Sequence, residues 1–197
     1  MCSAEAPGAA PGAPGAAALA EVTDALGRLR HPLVVLIDGP SGAGKSTLAD
    51  SLVDGWPGGP LPTLVRMDDI YPGWQGLAAA AAHVTAQLLT PLRHGQTGRW
   101  RRYDWNAGRA AEWHGVEPGR PLIVEGCGSL RPANVPLADV RIWLDADEGA
   151  RKQRALARDG VVFAAHWDEW QRDWEAWCAR ESPERQATIR LQTEFPG

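Results

Sequence analysis

The stretch that decides the fold is "GPSGAGKST" at residues 39–47, which follows the apolar run "LVVLI" at residues 33–37. Gly39, Gly44, Lys45 and Ser46 match the GxxxxGK(S/T) spacing of a phosphate-binding loop, or P-loop. The apolar run predicts a buried parallel strand before the loop, and "STLADSLVDG" predicts a helix after it. Because strand, loop and helix come in this order, the sequence predicts nucleotide binding.

The glycines let the loop curl so that its amide N–H groups point inward, and the helix adds the positive end of its dipole. Lys45 can reach the β and γ phosphates, and the Ser46 hydroxyl can bind a bridging Mg²⁺. The predicted cofactors are therefore ATP and Mg²⁺. The predicted nucleotide-binding residues are Gly39, Ser41, Gly42, Ala43, Gly44, Lys45, Ser46 and Thr47.

Composition limits the size, the partners and the location that we expect for the protein. The 197 residues are 44% hydrophobic and 22% charged, which suits one domain of ordinary size. A net charge of −4 without a Lys/Arg block argues against a nucleic-acid surface, and no apolar run is long enough to span a membrane. The three scattered cysteines fit a reducing cytoplasm. We expect a soluble cytoplasmic protein with a small-molecule partner, and exposed tryptophans would indicate a homodimer.

Residues 1–17 are rich in Ala, Pro and Gly, which predicts a disordered tail before a domain at 18–197. Helices are predicted at 18–29, 45–54, 76–93, 147–160 and 164–181, and strands at 33–38, 63–67, 121–126, 140–145 and 186–193. The stretch 99–119 is predicted to be irregular. This alternation predicts an α/β fold with a parallel sheet, a three-layer P-loop NTPase sandwich with a helical lid.

The last of these helices carries four tryptophans at spacings of three, four and three, at positions 167, 170, 174 and 177. Such spacing places all four on one helix face. The face is predicted to pack in the core or at an interface, and a stacking platform for bases is the alternative.

Acidic residues follow two predicted strands, where the carboxyl ends of parallel strands face the ligand. Asp68 or Asp69 could accept a proton from an attacking alcohol, with the other ordering Mg²⁺-bound water, or the pair could cap a turn. Glu125 lies where a Walker B carboxylate would hold water around the metal. Arg151, Arg154 and Arg158 share one side of a helix, either as a salt-bridged surface or as a lid that stabilises phosphoryl charge.

Together, "GPSGAGKST", "MDDIY", "YDW", "IVEG" and "DADEGARKQRALARD" resemble the uridine kinase family of P-loop nucleoside kinases, most closely its compact bacterial members, over residues 33–180. The resemblance implies that Asp68 is the catalytic base and that Glu125 is the Walker B acid. It also implies that Arg151, Arg154 and Arg158 are lid arginines. For the acceptor it implies Tyr71, Tyr103 and Trp105 as pocket aromatics, Asp104 as a contact to sugar hydroxyls or a pocket support, and Arg109 as a further contact.

The pattern departs from the family in one place. Members that act on uridine and cytidine have a histidine shortly after the tyrosine–aspartate–aromatic motif, whereas "NAGRAAEW" at residues 106–113 has none. The nearest histidine, His114, is predicted to be a loop residue. The expected activity is transfer of the γ-phosphoryl group of ATP to a nucleoside hydroxyl. The alternatives are a kinase for another small alcohol, such as an antibiotic or sugar, and a regulatory ATPase.

Overall fold

The computed structural model describes residues 16–30 and 33–193. The predicted tail therefore lies outside the described residues, apart from Ala16 and Ala17, which begin the first helix. The strands are β1 (Val34–Asp38), β2 (Thr63–Arg66), β3 (Gly98–Asp104), β4 (Arg109–Val116), β5 (Leu122–Glu125), β6 (Val140–Asp145) and β7 (Ile189–Gln192). The α-helices are α1 (Ala16–Gly27), α2 (Lys45–Asp54), α3 (Leu77–His83), α4 (Thr90–Arg93), α5 (Glu148–Glu181) and α6 (Pro183–Gln186).

Five strands form a parallel sheet in the order β2-β5-β1-β6-β7. Central β1 pairs with β5 through Ile37 and Glu125, and β5 pairs with β2 through Glu125 and Arg66. Since parallel strands end at the same edge, this register brings the end of β2, the Walker B candidate and the P-loop together. The predicted α/β fold with a parallel sheet is confirmed.

The apolar runs of the central strands are buried on both faces, as a parallel sheet covered by helices requires. Val35 and Ile37 pack in one core with α1 and α2, whereas Leu36 packs in the other with α3 and α5. Two apolar layers therefore fix the sheet between the helices, and the strand ends remain available for a site.

The prediction of irregular structure at 99–119 is wrong. β3 and β4 form an antiparallel hairpin with a register shift between Arg101 and Tyr103. Its turn is stabilised by Asp104, whose Oδ1 accepts from the backbone N–H groups of Asn106 and Ala107 at 3.0 and 2.9 Å. Gly108 follows with a φ of 62°, a value that glycine adopts without a Cβ penalty. The aromatic residues of this stretch therefore lie on a two-stranded arm.

The helix predicted at 76–93 is present as α3, a π-helical stretch at Val84–Leu89, and α4. The two helices predicted at 147–160 and 164–181 are the two halves of α5, which is broken at Gly160 (φ 67°, ψ −156°). All four tryptophans of the second half are buried, so the predicted core packing is confirmed. Among the described residues, no helix is both long and apolar enough to cross a membrane.

Candidate functional site

The P-loop leaves β1 in a backbone conformation that depends on glycine. Gly39 and Gly42 have φ values of 147° and 80°, and a Cβ at Gly42 would lie 2.2 Å from the carbonyl oxygen of Arg151. A Cβ at Gly39 would lie 1.9 Å from the carbonyl oxygen of Leu144. The loop is therefore packed directly against β6 and α5, and its shape is set by neighbouring backbone.

Lys45 lies at the floor of the loop and is buried. Its ammonium Nζ donates to the Pro40 carbonyl at 2.9 Å and to the Cys127 Sγ at 3.6 Å. Burial raises the pKa of the Cys127 thiol, so at neutral pH this neighbour is a neutral acceptor. The lysine charge is therefore available to a polyphosphate in the loop.

Glu125 stands at the end of β5 within reach of the first turn of α2. Ser46 Oγ donates to Glu125 Oε1 at 3.0 Å, and Arg66 Nη1 donates to the same oxygen at 3.1 Å. Arg66 also pairs with Asp50 at 2.7 Å. Burial first, and then the nearby Asp68 charge, raises the pKa of the Glu125 carboxyl, while Lys45 and Arg66 act in the opposite direction. The carboxylate is therefore held in place from two sides.

A cleft of about 290 Å³ opens over the loop. Most of the predicted nucleotide-binding residues line it, and Glu125, Arg154 and Arg158 line it as well. The predicted residues at its wall are Ser41, Gly42, Gly44, Lys45, Ser46, Thr47, Asp68, Glu125, Arg154 and Arg158. Gly39 and Ala43 are not among the lining residues, since Gly39 turns the chain out of β1 and Ala43 is buried in the core.

A second cavity of about 170 Å³ adjoins the cleft. Five aromatic rings form its walls, and Ser41, Asp68 and Arg158 belong to both cavities. The rings are Tyr71, Trp74, Trp105, Phe163 and Trp170. The three shared residues therefore mark the passage between the phosphate-binding cleft and the aromatic cavity.

Asp68 is the acidic residue at that passage. It lies in a 3₁₀ turn, Met67–Asp69, directly after β2, and its backbone carbonyl accepts from the indole N–H of Trp105 at 2.9 Å. Its Oδ2 lies 4.0 Å from Nη2 of Arg158. Adjacent Asp69 lines neither cavity, and burial followed by the Asp68 charge raises the pKa of its carboxyl. The structure thus separates the two aspartates that the sequence left as alternatives.

Both halves of α5 contribute to the two cavities, and Arg158 of the first half lines both. The first half brings Arg154 and Arg158 to the cleft, whereas Phe163 and Trp170 of the second half line the aromatic cavity. The Trp170 indole N–H donates to Ser41 Oγ at 2.9 Å, which ties this half to the P-loop. Burial and the neighbouring Arg151 charge lower the pKa of Arg154. Like charges placed together in this way are stabilised by an anion between them.

Three residues assigned to the acceptor by resemblance, and Arg151 of the expected lid, lie outside the aromatic cavity. Tyr103 lies edge-on to Trp105 with ring centroids 5.5 Å apart and lines a separate depression beside His83 and Trp113. Asp104 caps the hairpin turn, and exposed Arg109 faces it at the start of β4. Buried Arg151 donates to the Ser41 carbonyl at 3.2 Å and so supports the P-loop.

Several residues of the site were missed from the sequence. Trp74 and Phe163 line the aromatic cavity, and their rings stack with centroids 5.5 Å apart. Buried Asp38, the last residue of β1, accepts from the backbone N–H groups of Gly39, Gly128 and Leu130 at 2.7 to 3.1 Å. The position of Asp38 between the strand and the P-loop was a signal that could have been used, whereas no spacing links positions 74 and 163.

His114 is not a loop residue as predicted. It lies in β4, where its ring stacks on Trp100 with centroids 4.3 Å apart. No histidine among the described residues lines the aromatic cavity. His166 stacks on the cavity residue Trp74 with centroids 4.5 Å apart, but it is not itself a lining residue.

The residues of the cleft fit a magnesium ion. Ser46 and Glu125 offer hard oxygen ligands to the space above the P-loop, which Mg²⁺ prefers. Within residues 16–30 and 33–193, no group of three or more His, Cys, Asp or Glu side chains forms a metal cluster. Such a sparse protein ligand set is typical of Mg²⁺ that completes its shell with phosphate oxygens and water.

Comparison with known proteins identified no matching family model and no matching curated protein. Solved structures that are similar across most of the chain include the following two. A "possible uridine kinase" from Bacillus stearothermophilus has a TM-score of 0.65 at 18% identity, covering 89% of this chain and 97% of that one. A "putative fructose transport system kinase" from Silicibacter sp. TM1040 has a TM-score of 0.51 at 20% identity, covering 88% and 98%.

The structural similarity establishes the fold, whereas sequence identities of 18% and 20% leave the acceptor open. The chain has the α/β P-loop kinase fold, and it is similar in structure to a protein described as a possible uridine kinase.

Proposed function

We propose that the protein is an ATP-dependent kinase that transfers the γ-phosphoryl group to a hydroxyl of a small molecule. The observation that carries the proposal is the position of Asp68, which lines both the phosphate-binding cleft and the aromatic cavity. A carboxylate at this passage can contact the hydroxyl of a molecule in one cavity and face the phosphate in the other.

The chain's own groups supply each part of the reaction. Asp68 accepts the hydroxyl proton, and the alcohol oxygen forms a bond to the γ-phosphorus with its lone pair. The bond from that phosphorus to the bridging oxygen breaks, and its electron pair leaves with ADP. Lys45, Arg154 and Arg158 stabilise charge on the phosphoryl oxygens from the walls of the cleft. Mg²⁺, held near Ser46 and Glu125, would neutralise phosphate charge when bound.

A nucleoside such as uridine or cytidine is the acceptor implied by the family resemblance, and the aromatic cavity supports it because flat rings stack on a base. The same ring faces would stack on another small aromatic alcohol, so stacking alone does not distinguish these two acceptors. A regulatory ATPase is the alternative of a different class, and it would not need an acceptor cavity next to the P-loop.

Mass spectrometry tests the proposal. The protein is incubated with MgATP and separate nucleosides, sugars and hydroxylated aromatic compounds, and each acceptor is examined for the gain of one phosphoryl group. We expect acceptor-dependent transfer from this chain. ATP binding without transfer to any acceptor, and with slow acceptor-independent hydrolysis, would favour the regulatory ATPase instead.

A further inference from the structure

We propose that the acceptor is a small alcohol attached to a flat, largely apolar aromatic ring, and neither a free nucleoside nor a sugar. This inference rests on the proposed kinase function and names the class of its acceptor. It rests on one observation: most polar atoms of the aromatic rings already form hydrogen bonds within the protein.

The five rings of the cavity offer few hydrogen bonds to a ligand. The Tyr71 hydroxyl donates to the Cys127 carbonyl at 2.8 Å. The indole N–H groups of Trp105 and Trp170 donate to the Asp68 carbonyl and to Ser41 Oγ, each at 2.9 Å. Phe163 has no polar atom, so the indole N–H of Trp74 is the remaining polar atom of the five rings. The walls therefore present mainly ring faces and edges.

Polar side chains are confined to one end of the cavity. Asp68, Ser41 and Arg158 are its lining residues that are not aromatic, and all three also line the phosphate-binding cleft. The cavity is thus polar where the reacting hydroxyl must lie and aromatic everywhere else. An acceptor that matches this division has one hydroxyl at one end and an apolar ring at the other.

A nucleoside or a sugar matches this arrangement of one polar end and aromatic walls poorly. A pyrimidine base carries several donors and acceptors on its edge, and a sugar carries several hydroxyls. Each of these groups would lose water on entering the cavity and would find few partners among the described lining residues. Loss of such partners is the principal means by which a site rejects a ligand of otherwise suitable shape.

The size of the cavity sets a further limit. Its volume of about 170 Å³ is below the range of roughly 300–1,000 Å³ that is usual for drug-sized ligands. A single ring or a fused ring pair with a short hydroxyl-bearing arm suits a cavity of this volume. The ring would stack beside Trp74, which itself stacks on Phe163 and on His166, the latter with centroids 4.5 Å apart.

The test uses 2-phenylethanol and 2-naphthylmethanol as aromatic alcohols, with uridine, cytidine and fructose as polar acceptors. Binding is followed by tryptophan fluorescence without ATP, and transfer by mass spectrometry with MgATP. We expect kcat/KM for an aromatic alcohol to exceed that for uridine by roughly 10²-fold. Higher kcat/KM for uridine, cytidine or fructose overturns the acceptor class and leaves the kinase function intact. Transfer to no acceptor overturns both.

Matched variants test whether the aromatic cavity is where the aromatic alcohol binds. Trp74→Ala should raise the KM for the aromatic alcohol about tenfold and leave the KM for ATP unchanged, while Trp74→Phe should retain most of the affinity. Trp113→Ala is the control, because Trp113 is an exposed tryptophan of the hairpin and lies outside this cavity. An unchanged KM for the aromatic alcohol in Trp74→Ala, with ATP KM preserved, contradicts the proposal.

Discussion

Ser46 and Glu125 are joined by a hydrogen bond of 3.0 Å between Ser46 Oγ and Glu125 Oε1, which connects the first turn of α2 to the end of β5. Both residues line the cleft above the P-loop. Ser46→Ala removes one oxygen ligand and one of the two hydrogen bonds that hold the Glu125 carboxylate, so the Mg²⁺ concentration for half-maximal activity should rise about tenfold or more. Mg²⁺ titrations of the kinase reaction measure this.

Ser51→Ala is the matched control for that experiment. Ser51 lies on the same helix, but it donates to the Thr47 carbonyl and is not a lining residue of the cleft. Equal Mg²⁺ dependence in Ser46→Ala and Ser51→Ala would show that Ser46 is not a ligand.

Arg158 is positioned to act on the phosphoryl group and on the proton acceptor together. Its Nη2 lies 4.0 Å from Asp68 Oδ2, and it lines both cavities. Arg158→Gln should lower kcat by roughly 10²-fold, because charge on the transferring group loses a stabilising cation. Lys152→Gln is the control, since exposed Lys152 lines neither cavity and lies near the Trp167 ring instead. Similar kcat values for the two variants would rule out the role of Arg158.

Position 42 requires glycine for two reasons: its backbone angles favour glycine, and neighbouring backbone leaves no space for a Cβ. Gly42→Ala combines a φ of 80° with a Cβ placed 2.2 Å from the Arg151 carbonyl oxygen. Gly58→Ala has a similar φ of 86° and nothing within 4 Å of its Cβ. Urea unfolding should show a loss of about 1 kcal/mol for Gly58→Ala and a loss at least 1–2 kcal/mol larger for Gly42→Ala. Equal losses would mean that the overlap is relieved at no cost.

Asp38 makes stability depend on pH. Burial, opposed by three backbone hydrogen bonds and Lys45, raises its pKa to about 7 in the folded chain, while the unfolded chain ionises near the ordinary value of 3.8. Its contribution is fully present below pH 3.8 and is lost as the pH rises toward 7, by up to about 1.4 kcal/mol per pH unit. Because other groups titrate as well, the comparison is with Asp38→Asn, which has no carboxyl proton.

Urea unfolding at pH 5 and pH 8 supplies that comparison. The free energy of unfolding of the original protein minus that of Asp38→Asn should be smaller at pH 8 than at pH 5. A difference that grows with pH would indicate that the hydrogen bonds keep the carboxylate ionised in the folded chain.

The main part of the fold follows from local patterns. The P-loop identifies β1 and α2, and the apolar runs of β5 and β6 fall where short buried strands are expected. The β3–β4 hairpin was missed because its strands bury few side chains and are rich in arginine and tryptophan, which obscures the period of two. The turn at Asp104–Gly108 was the signal that could have revealed it.

The site also has one part that could be predicted from the sequence and one part that could not. Lys45, Ser46, Asp68, Glu125, Arg154 and Arg158 line the cleft, as expected from motifs with fixed local spacing. The aromatic cavity depends on contacts between residues far apart in sequence, such as Trp74 with Phe163. Four tryptophans on one helix face predicted core packing, but no local pattern shows that Trp170 alone among them also lines a cavity.

The central claim is that Asp68 accepts the proton of the acceptor at the passage between the two cavities. The most direct measurement compares single-turnover phosphoryl transfer and ATP binding in the original protein, Asp68→Asn and Asp69→Asn, with Asp69 as the adjacent carboxylate that lines neither cavity. The account predicts transfer slowed by roughly 10²- to 10⁴-fold in Asp68→Asn, near-normal transfer in Asp69→Asn, and unchanged ATP binding in both. Near-normal transfer by Asp68→Asn would contradict it.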